Sequence, residues 1–335
     1  MAARAFPFNP FQQDLYSPQD LLGEFASDDP LSYQWTLDFR IYRHYIMTGE
    51  FAIPDYFVSM MRALHDNSIT QAMNDLLRAR RVVAIMGGHK LMRNGSTYNQ
   101  VVEISRKLAT CGMLVTSGGG PGAMEAAHLG ALLASAADAD VEEALRRLGS
   151  VPSMPATKGI VGRDGSIKID LIEAVHSWYA PAIELSRATV ASKRSLAIPT
   201  WHYGHEPSSP FATHIGKYFQ NSIREDGLLS IAQHGIVFAE GKAGTLQEIF
   251  QDAAQNYYES FGWFSPMVLL GVDYWTKSLP ALAVLKALFG AERFDKYVRI
   301  TDSADECVNF LLAFDPPLGE MQTPVQEESS SPDSQ

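Results

Sequence analysis

Glu248 and Arg224 are the residues with most to offer chemically, and Glu248 follows a stretch built to hold an anion. In GIVFAEGKAGTLQEIFQDAAQNYY, residues 235–258, the run Ile236-Val237-Phe238-Ala239 is β-branched or aromatic and uncharged. It reads as a buried strand. Glu240-Gly241-Lys242-Ala243-Gly244 reads as a glycine-rich turn. Thr245 then caps a helix whose apolar Leu246, Ile249, Phe250 and Ala253 fall on one face. A strand, a glycine turn and a helix start leave free amides, a favourable dipole and room for close approach to a phosphate. Glu248, in the first helical turn on this reading, is within reach of what binds there. Thr245 and Glu248 also fit a capping box, so the local pattern alone is equally a structural one. Arg224, in NSIRED, reads by spacing alone as a helix-surface arginine. Lys242 is either a solvated turn lysine or an anion contact.

Two further glycine turns follow two further strands. Gly87-Gly88 follows Val82-Val83-Ala84-Ile85-Met86. Gly118-Gly119-Gly120-Pro121-Gly122, with Met124 just inside the next helix, follows a strand over 113–116. One such turn is common for backbone reasons; three on one sheet edge point to a ligand. None ends in Gly-Lys-Ser/Thr, none is a clean G-x-G-x-x-G, and no well-placed acid ends the next strand. A mononucleotide or sugar phosphate therefore fits better than NAD or ATP with magnesium. His202 and His205 lack the companions of a metal site, so no metal is expected. Trp201, Tyr203, Tyr257 and Tyr258 can stack on a base, but such residues more often pack in cores or interfaces. No G-x-S-x-G elbow supports a Ser-His-Asp hydrolase.

The elements that would position these residues alternate strand and helix. Strands are expected near 82–86, 113–116, 195–198, 236–239, 267–271 and 297–301. Helices are expected over 96–112, 123–135, 141–149, 170–188 with a break at Pro181, 211–232, 245–258, 279–289 and 303–314. Ser96 or Thr97 would cap the first of these, and Gly112 would end it. The fold class is α/β: a Rossmann-like, doubly wound parallel sheet with helices on both faces. Ligands of such sheets sit beyond the carboxyl ends of the strands. The domain reading is an N-terminal helical extension over 1–80, a nucleotide-binding domain over 81–315 and a disordered tail over 316–335. Residues 1–30 read as an irregular lead-in, and Asp66-Asn67-Ser68 as the cap of a helix running to Arg81.

Composition bounds the rest. The 335 residues are 46% hydrophobic, enough for a sizeable core, and carry a formal net charge of −11. Nucleic acid and anionic membranes need a basic surface and are not expected as partners. Two isolated cysteines, Cys111 and Cys307, point to a reducing compartment, and no run reaches the length of a membrane span. A cytoplasmic protein is the expectation.

The pairing of Ser117-Gly118-Gly119-Gly120-Pro121-Gly122-Ala123-Met124 with Gly241-x-x-Gly244-Thr245-x-x-Glu248 resembles the Lonely Guy (LOG) family, long mislabelled lysine decarboxylases. The family signature is P-G-G-x-G-T-x-x-E. Gly241, Gly244, Thr245 and Glu248 match it, while Glu240 stands for the proline and Lys242 for the second glycine. The family's upstream arginine corresponds to Arg224 with one residue inserted. The resemblance covers about 80–315, apart from 135–210, and is nearer to the long bacterial members than to the plant cytokinin enzymes. It implies a nucleoside 5′-monophosphate phosphoribohydrolase, an N-glycosidase releasing free base and ribose 5-phosphate. In that role Glu248 supports the oxocarbenium-like sugar or activates water, and Arg224 orients the substrate. Amides of Gly119–Gly122 and Gly241–Thr245, with the Thr245 hydroxyl, hold the 5′-phosphate. The resemblance further implies no cofactor and a homodimer or larger homo-oligomer. The loops 89–95 and 199–210 would read the base. Two other classes fit the same residues: a non-hydrolytic nucleotide-binding sensor or carrier on this fold, and a structural or assembly protein.

Overall fold

Short runs of β-branched and aliphatic residues with no charge belong in the middle of a sheet covered on both sides. The computed structural model, which describes residues 6–50, 52–53, 55–202 and 206–316, places five such segments and two further strands in one parallel sheet. In chain order they are β1 (Val82–Met86), β2 (Leu114–Ser117), β3 (Ser195–Ala197), β4 (His214–Ile215), β5 (Ile236–Phe238), β6 (Met267–Leu270) and β7 (Val298–Thr301). Their spatial order is β4-β3-β2-β1-β5-β6-β7. Every residue of β1, β2, β3, β5 and β6 is buried. The fold is therefore α/β and Rossmann-like, as expected. The chain winds outward from β1 to β4 and then returns to lay β5 beside β1. That return makes the β1–β5 junction the topological switch point, where such sheets open a crevice for ligands.

The helices follow in chain order as α1 (Pro18–Leu22), α2 (Leu37–Met47), α3 (Tyr56–Leu77), α4 (Ser96–Thr110), α5 (Ala123–Leu132), α6 (Asp138–Gly149), α7 (Ile169–Ala188), α8 (Asn221–Ser230), α9 (Ala243–Tyr257), α10 (Leu282–Tyr297) and α11 (Ala304–Leu312). Gly112 ends the α4 segment with φ +83°, as its type requires.

Several boundaries differ from expectation, each for a local reason. From residue 6 onward the lead-in is ordered: Ser17 and Asp20 form a capping box on α1, and Phe8, Tyr16, Leu21, Leu22 and Phe25 enter the core. Asp66 caps nothing, because α3 runs through it from an Asp55 cap. Its buried carboxylate instead accepts the amides of Phe219 (3.0 Å) and Gln220 (2.9 Å). Gly95, not Ser96 or Thr97, holds the cap position of α4. Pro181 does not break α7. The flanking Trp178, Tyr179, Ala182 and Ile183 are all buried, and that packing holds the helix through the missing amide bond. The expected helix over 211–232 begins only at Asn221, because His214 and Ile215 pair with Leu196 and Ala197 as β4. α10 runs past 289 to Tyr297, with a kink at Gly290 (φ 72°). The tail assigned to 316–335 lies, beyond Pro316, outside the described residues.

The N-terminal segment closes the β4 edge of the sheet. Tyr16 and Ile215 exchange backbone hydrogen bonds of 3.0 and 2.7 Å, which covers an edge that would otherwise template another strand. Phe8 packs on Phe219 at 4.7 Å, and Phe25 stacks on His176 at 4.6 Å. The polar anchor is Asp38 of α2, fully buried. Its Oδ1 accepts Lys217 Nζ (2.7 Å) and Trp201 Nε1 (3.0 Å), and its Oδ2 accepts the Ser208 amide (3.2 Å) and hydroxyl (3.1 Å). One carboxylate thus ties α2 to the segment after β3 and to the residues after β4.

Removing one partner of a buried, hydrogen-bonded ion pair leaves the other charge unpaired, which costs about 3–5 kcal/mol. Asp38→Ala is expected to destabilise the protein by that amount in urea denaturation. A midpoint unchanged from wild type would contradict the anchoring role.

Candidate functional site

The three glycine turns end β2, β1 and β5, which are immediate neighbours in the sheet. They interlock. The Gly88 amide donates to Glu240 O at 2.8 Å, and the Ala123 amide donates to Gly88 O at 3.2 Å. Gly122 has φ +70°, and a Cβ there would collide with Gly88 O. A Cβ on Gly87 would stand 2.7 Å from the Ala123 methyl, and one on Gly88 would stand 3.1 Å from Glu240 O. The three turns at the switch point therefore pack backbone against backbone.

Gly118, Gly119, Gly120, Gly122 and Met124 are buried, Gly87 and Gly88 half-buried. Gly241 is buried because Thr245 sits directly over it: a Cβ at 241 would run into the Thr245 hydroxyl and stand 2.7 Å from its Cβ. Lys242 and Gly244 are exposed, and a Cβ on Gly244 would meet nothing within 4 Å. The helix starts earlier than its pattern implied. Lys242 occupies the cap position without a side-chain hydrogen bond, Ala243 is the first residue of α9, and the Leu246 amide closes the first turn on Lys242 O at 2.9 Å. Thr245 is therefore the third helical residue rather than the cap. Glu248 stands in the second turn rather than the first, and no capping box forms. The reason is the buried seat of Thr245, which holds its side chain against Gly241. Glu240, at the family's proline position, lies with its carboxyl 3.7 Å from where a Cβ of Gly271 would be, over the end of β6.

Arg224 reaches the same crevice from α8. Its Nε donates to Ile198 O, just past β3, at 3.0 Å, and its guanidinium lies against Gly118, where any side chain would collide with it. Met124 Sδ crowds the same point, 2.5 Å from that would-be Cβ. The fold therefore brings Arg224, Met124 and the 118–122 turn together. Glu248 lies close enough to feel the Arg224 charge. Burial of its carboxyl pushes the pKa up to about 7, Arg224 pulls it back, and Glu225 adds to the rise. One turn further along α9, burial alone raises Asp252 to about 8, and its Oδ2 has no partner among the described residues.

One acid of this site was not singled out from sequence. Glu206 approaches Gly120, its Oε2 lying 3.0 Å from where a Cβ of that glycine would be. Burial raises its pKa, against the attraction of His89, Arg224 and Lys217. It also lines a cavity of about 570 Å³ beside the 118–122 turn, with His89, Arg93, Gly122, Glu125 and Trp178. Its position in a Pro- and aromatic-rich loop carried no periodic signal, and only the density of polar side chains there marked the loop. The aromatic candidates fare differently. Trp201 is buried and bonded to Asp38, Tyr257 and Tyr258 are exposed, and Tyr203 and His205 lie outside the described residues. Among the described residues no group of three or more metal-ligating side chains forms, and no helix is long and apolar enough to cross a membrane.

The two signature glycines have opposite steric roles. Gly241→Ala is expected to lower the melting temperature, since an added methyl meets the Thr245 side chain. Gly244→Ala, in open space at a helix start, is expected to hold or gain up to about 1 kcal/mol. Equal losses in a thermal melt of the two variants would contradict the assignment.

No protein-family model matches this chain, and no curated protein matches it. Solved structures do. The molybdenum cofactor binding protein of the phototrophic bacterium Rippkaea orientalis is similar at 13% identity over 70% of this chain and 96% of that one, with a TM-score of 0.40. A protein designated TM1055 is similar at 19% identity over 70% and 99%, with a TM-score of 0.42. The Moco carrier protein of Chlamydomonas reinhardtii is similar at 16% identity over 70% and 98%, with a TM-score of 0.39. At such identities and scores these likenesses carry no argument about ligand or reaction.

Proposed function

We propose that this protein is a nucleoside 5′-monophosphate phosphoribohydrolase, cleaving the N-glycosidic bond to give free base and ribose 5-phosphate. The observation that carries the reading is the Arg224 guanidinium lying against Gly118 at the interlocked glycine turns of the switch point, with Glu248 near enough to feel its charge. The turns and the first amides of α9 bind the 5′-phosphate, with the Thr245 hydroxyl beside them. Lys242, exposed at the rim, adds a positive charge for the same anion. The phosphate fixes the ribose, and fixing one end of a substrate converts binding energy into orientation at the other.

N-glycosidic cleavage places positive charge on the ribose as the base departs. A carboxylate near C1′ stabilises that charge and takes a proton from the attacking water. Glu248 suits this work because its pKa near 7 makes it a competent base when ionised at neutral pH. Arg224, held by Ile198 O against Gly118, orients the substrate and keeps the Glu248 carboxylate from being raised further. The chain supplies these groups without calling on a cofactor, and a homodimer remains part of the reading.

A second reading stays open on one observation. Glu240 and Lys242 replace the proline and glycine of the signature it resembles, and a turn so altered is compatible with a protein that binds a nucleotide without cleaving it.

Two measurements test the assignment of Glu248. Glu248→Gln is expected to lower turnover by about 100- to 10,000-fold, the usual worth of acid–base catalysis, while nucleotide affinity persists. The sign of the pH effect follows from the raised pKa: the ionised form grows as pH rises, so kcat/KM climbs as pH rises towards about 7. Full activity in the variant, or a rate that falls through that range, would remove Glu248 from the reaction.

A further inference from the structure

Glu206 lies outside the signature shared with the LOG family, yet the fold delivers it to the same crevice as Arg224 and Glu248. Its carboxyl lies against Gly120, and it lines the 570 Å³ cavity. That volume is in the range of small-molecule pockets, about 300–1,000 Å³. The cavity and the phosphate turn share Pro121 and Gly122, so a ligand anchored at the turns can extend into the cavity that Glu206 lines.

The floor of the cavity is rigid and electrically balanced. Arg93 and Glu125, each 1% exposed, form a two-pronged ion pair of 2.8 and 2.6 Å. Tyr98 donates to the same carboxylate at 3.0 Å, and Arg93 spends a further nitrogen on Trp178 O at 2.8 Å. Neither charge is left over for a ligand. Trp178, by contrast, lines the cavity with its indole Nε1 buried and unpartnered among the described residues, a donor awaiting an acceptor. Of the cavity's two carboxyls, Glu125 is paired with Arg93 and Glu206 forms no salt bridge among the described residues. The charges that face it are His89 at the cavity rim, Arg224 from α8 and Lys217 after β4, while Lys90 and Lys158 stand exposed on the cavity wall. Lys217 is already held by Asp38 and touches the Glu206 backbone carbonyl at 3.4 Å, so it fixes the position of the loop rather than ionising the side chain.

We propose that the cavity receives the base of the nucleotide and that Glu206 is the acid that protonates the base as it leaves. The proposal rests on the hydrolase reading above. Water attacks C1′ and its proton goes to the Glu248 carboxylate. The C1′–N bond breaks with its electron pair on the base, and the base nitrogen takes the proton of the Glu206 carboxyl. Glu248 then loses its proton to solvent and Glu206 regains one, so the net change is addition of one water across the bond. The two acids are suited to opposite duties by position. Glu206 lines the cavity, with burial raising its carboxyl above the usual range, while Glu248 stands on α9 outside that lining, where Arg224 opposes the rise that burial causes.

The test uses two kinds of substrate with the full-length protein: nucleoside 5′-monophosphates, and para-nitrophenyl ribofuranoside 5′-phosphate, whose nitrophenolate leaves without a proton. Glu206→Gln is expected to lose about 100- to 10,000-fold in kcat on nucleotides and to stay near wild type on the nitrophenyl substrate, which also proves the variant folded. Glu248→Gln is expected to lose activity on both. A Glu206→Gln variant that is equally impaired on both substrates, or unimpaired on nucleotides, would overturn the role of Glu206 while leaving the hydrolase reading standing. A wild-type protein that cleaves neither substrate would overturn both together.

Discussion

The site depends on the closeness of three backbone turns. β2, β1 and β5 end side by side, and each is followed at once by glycine. Because Gly88 hydrogen-bonds to Glu240 O and accepts from Ala123, the turns form one unit rather than three loops. Side chains at 87, 118, 122 or 241 would collide with that unit or with the residues seated on it. The result is three backbone turns packed directly on one another, with Arg224, Met124 and Glu206 set against the 118–120 turn. Arg224 from α8 and Glu206 from the segment after β3 lie against these turns, and Glu248 of α9 is near enough to feel the Arg224 charge.

Rigidity is added from the N-terminal segment. Asp38 ties Lys217, Trp201 and Ser208 together, and these flank the loop that carries Glu206. Tyr16 closes the sheet edge beside the same loop, and Asp66 fixes the turn at Phe219–Gln220 that precedes α8. Two buried carboxylates from one N-terminal segment thus set the positions of both flanks of the crevice. A site of this kind needs its reacting groups held within fractions of an ångström, and the buried polar network performs that holding.

Much of this was legible in the chain. Five of the seven strands are apolar runs ending in glycine, proline or a polar turn, and their alternation with helical patterns dictated a parallel sheet. The expectation of an anion site came from strand, glycine turn and helix start in succession, and the roles expected of Glu248 and Arg224 from resemblance to a family motif. What escaped has physical causes. β4 is two residues long and owes its pairing to β3, so no local pattern announced it. Pro181 lies in a helix held by buried neighbours, where tertiary packing outweighs local propensity. Thr245 looked like a cap because its type and spacing fit one. Only the contact with Gly241 revealed a different seat. Glu206 belongs to a loop without periodicity, and its approach to Gly120 is a contact across 86 positions of sequence, seen only once the chain is folded.

The central claim is that the crevice breaks a bond and does not merely hold a ligand. The most direct measurement incubates the purified protein with AMP, GMP, CMP and UMP and quantifies free base and ribose 5-phosphate in parallel. The account predicts that at least one nucleotide yields the two products in equal amounts. Tight binding of a nucleotide with no base released from any of the four would contradict it and leave a nucleotide-binding protein on the same fold.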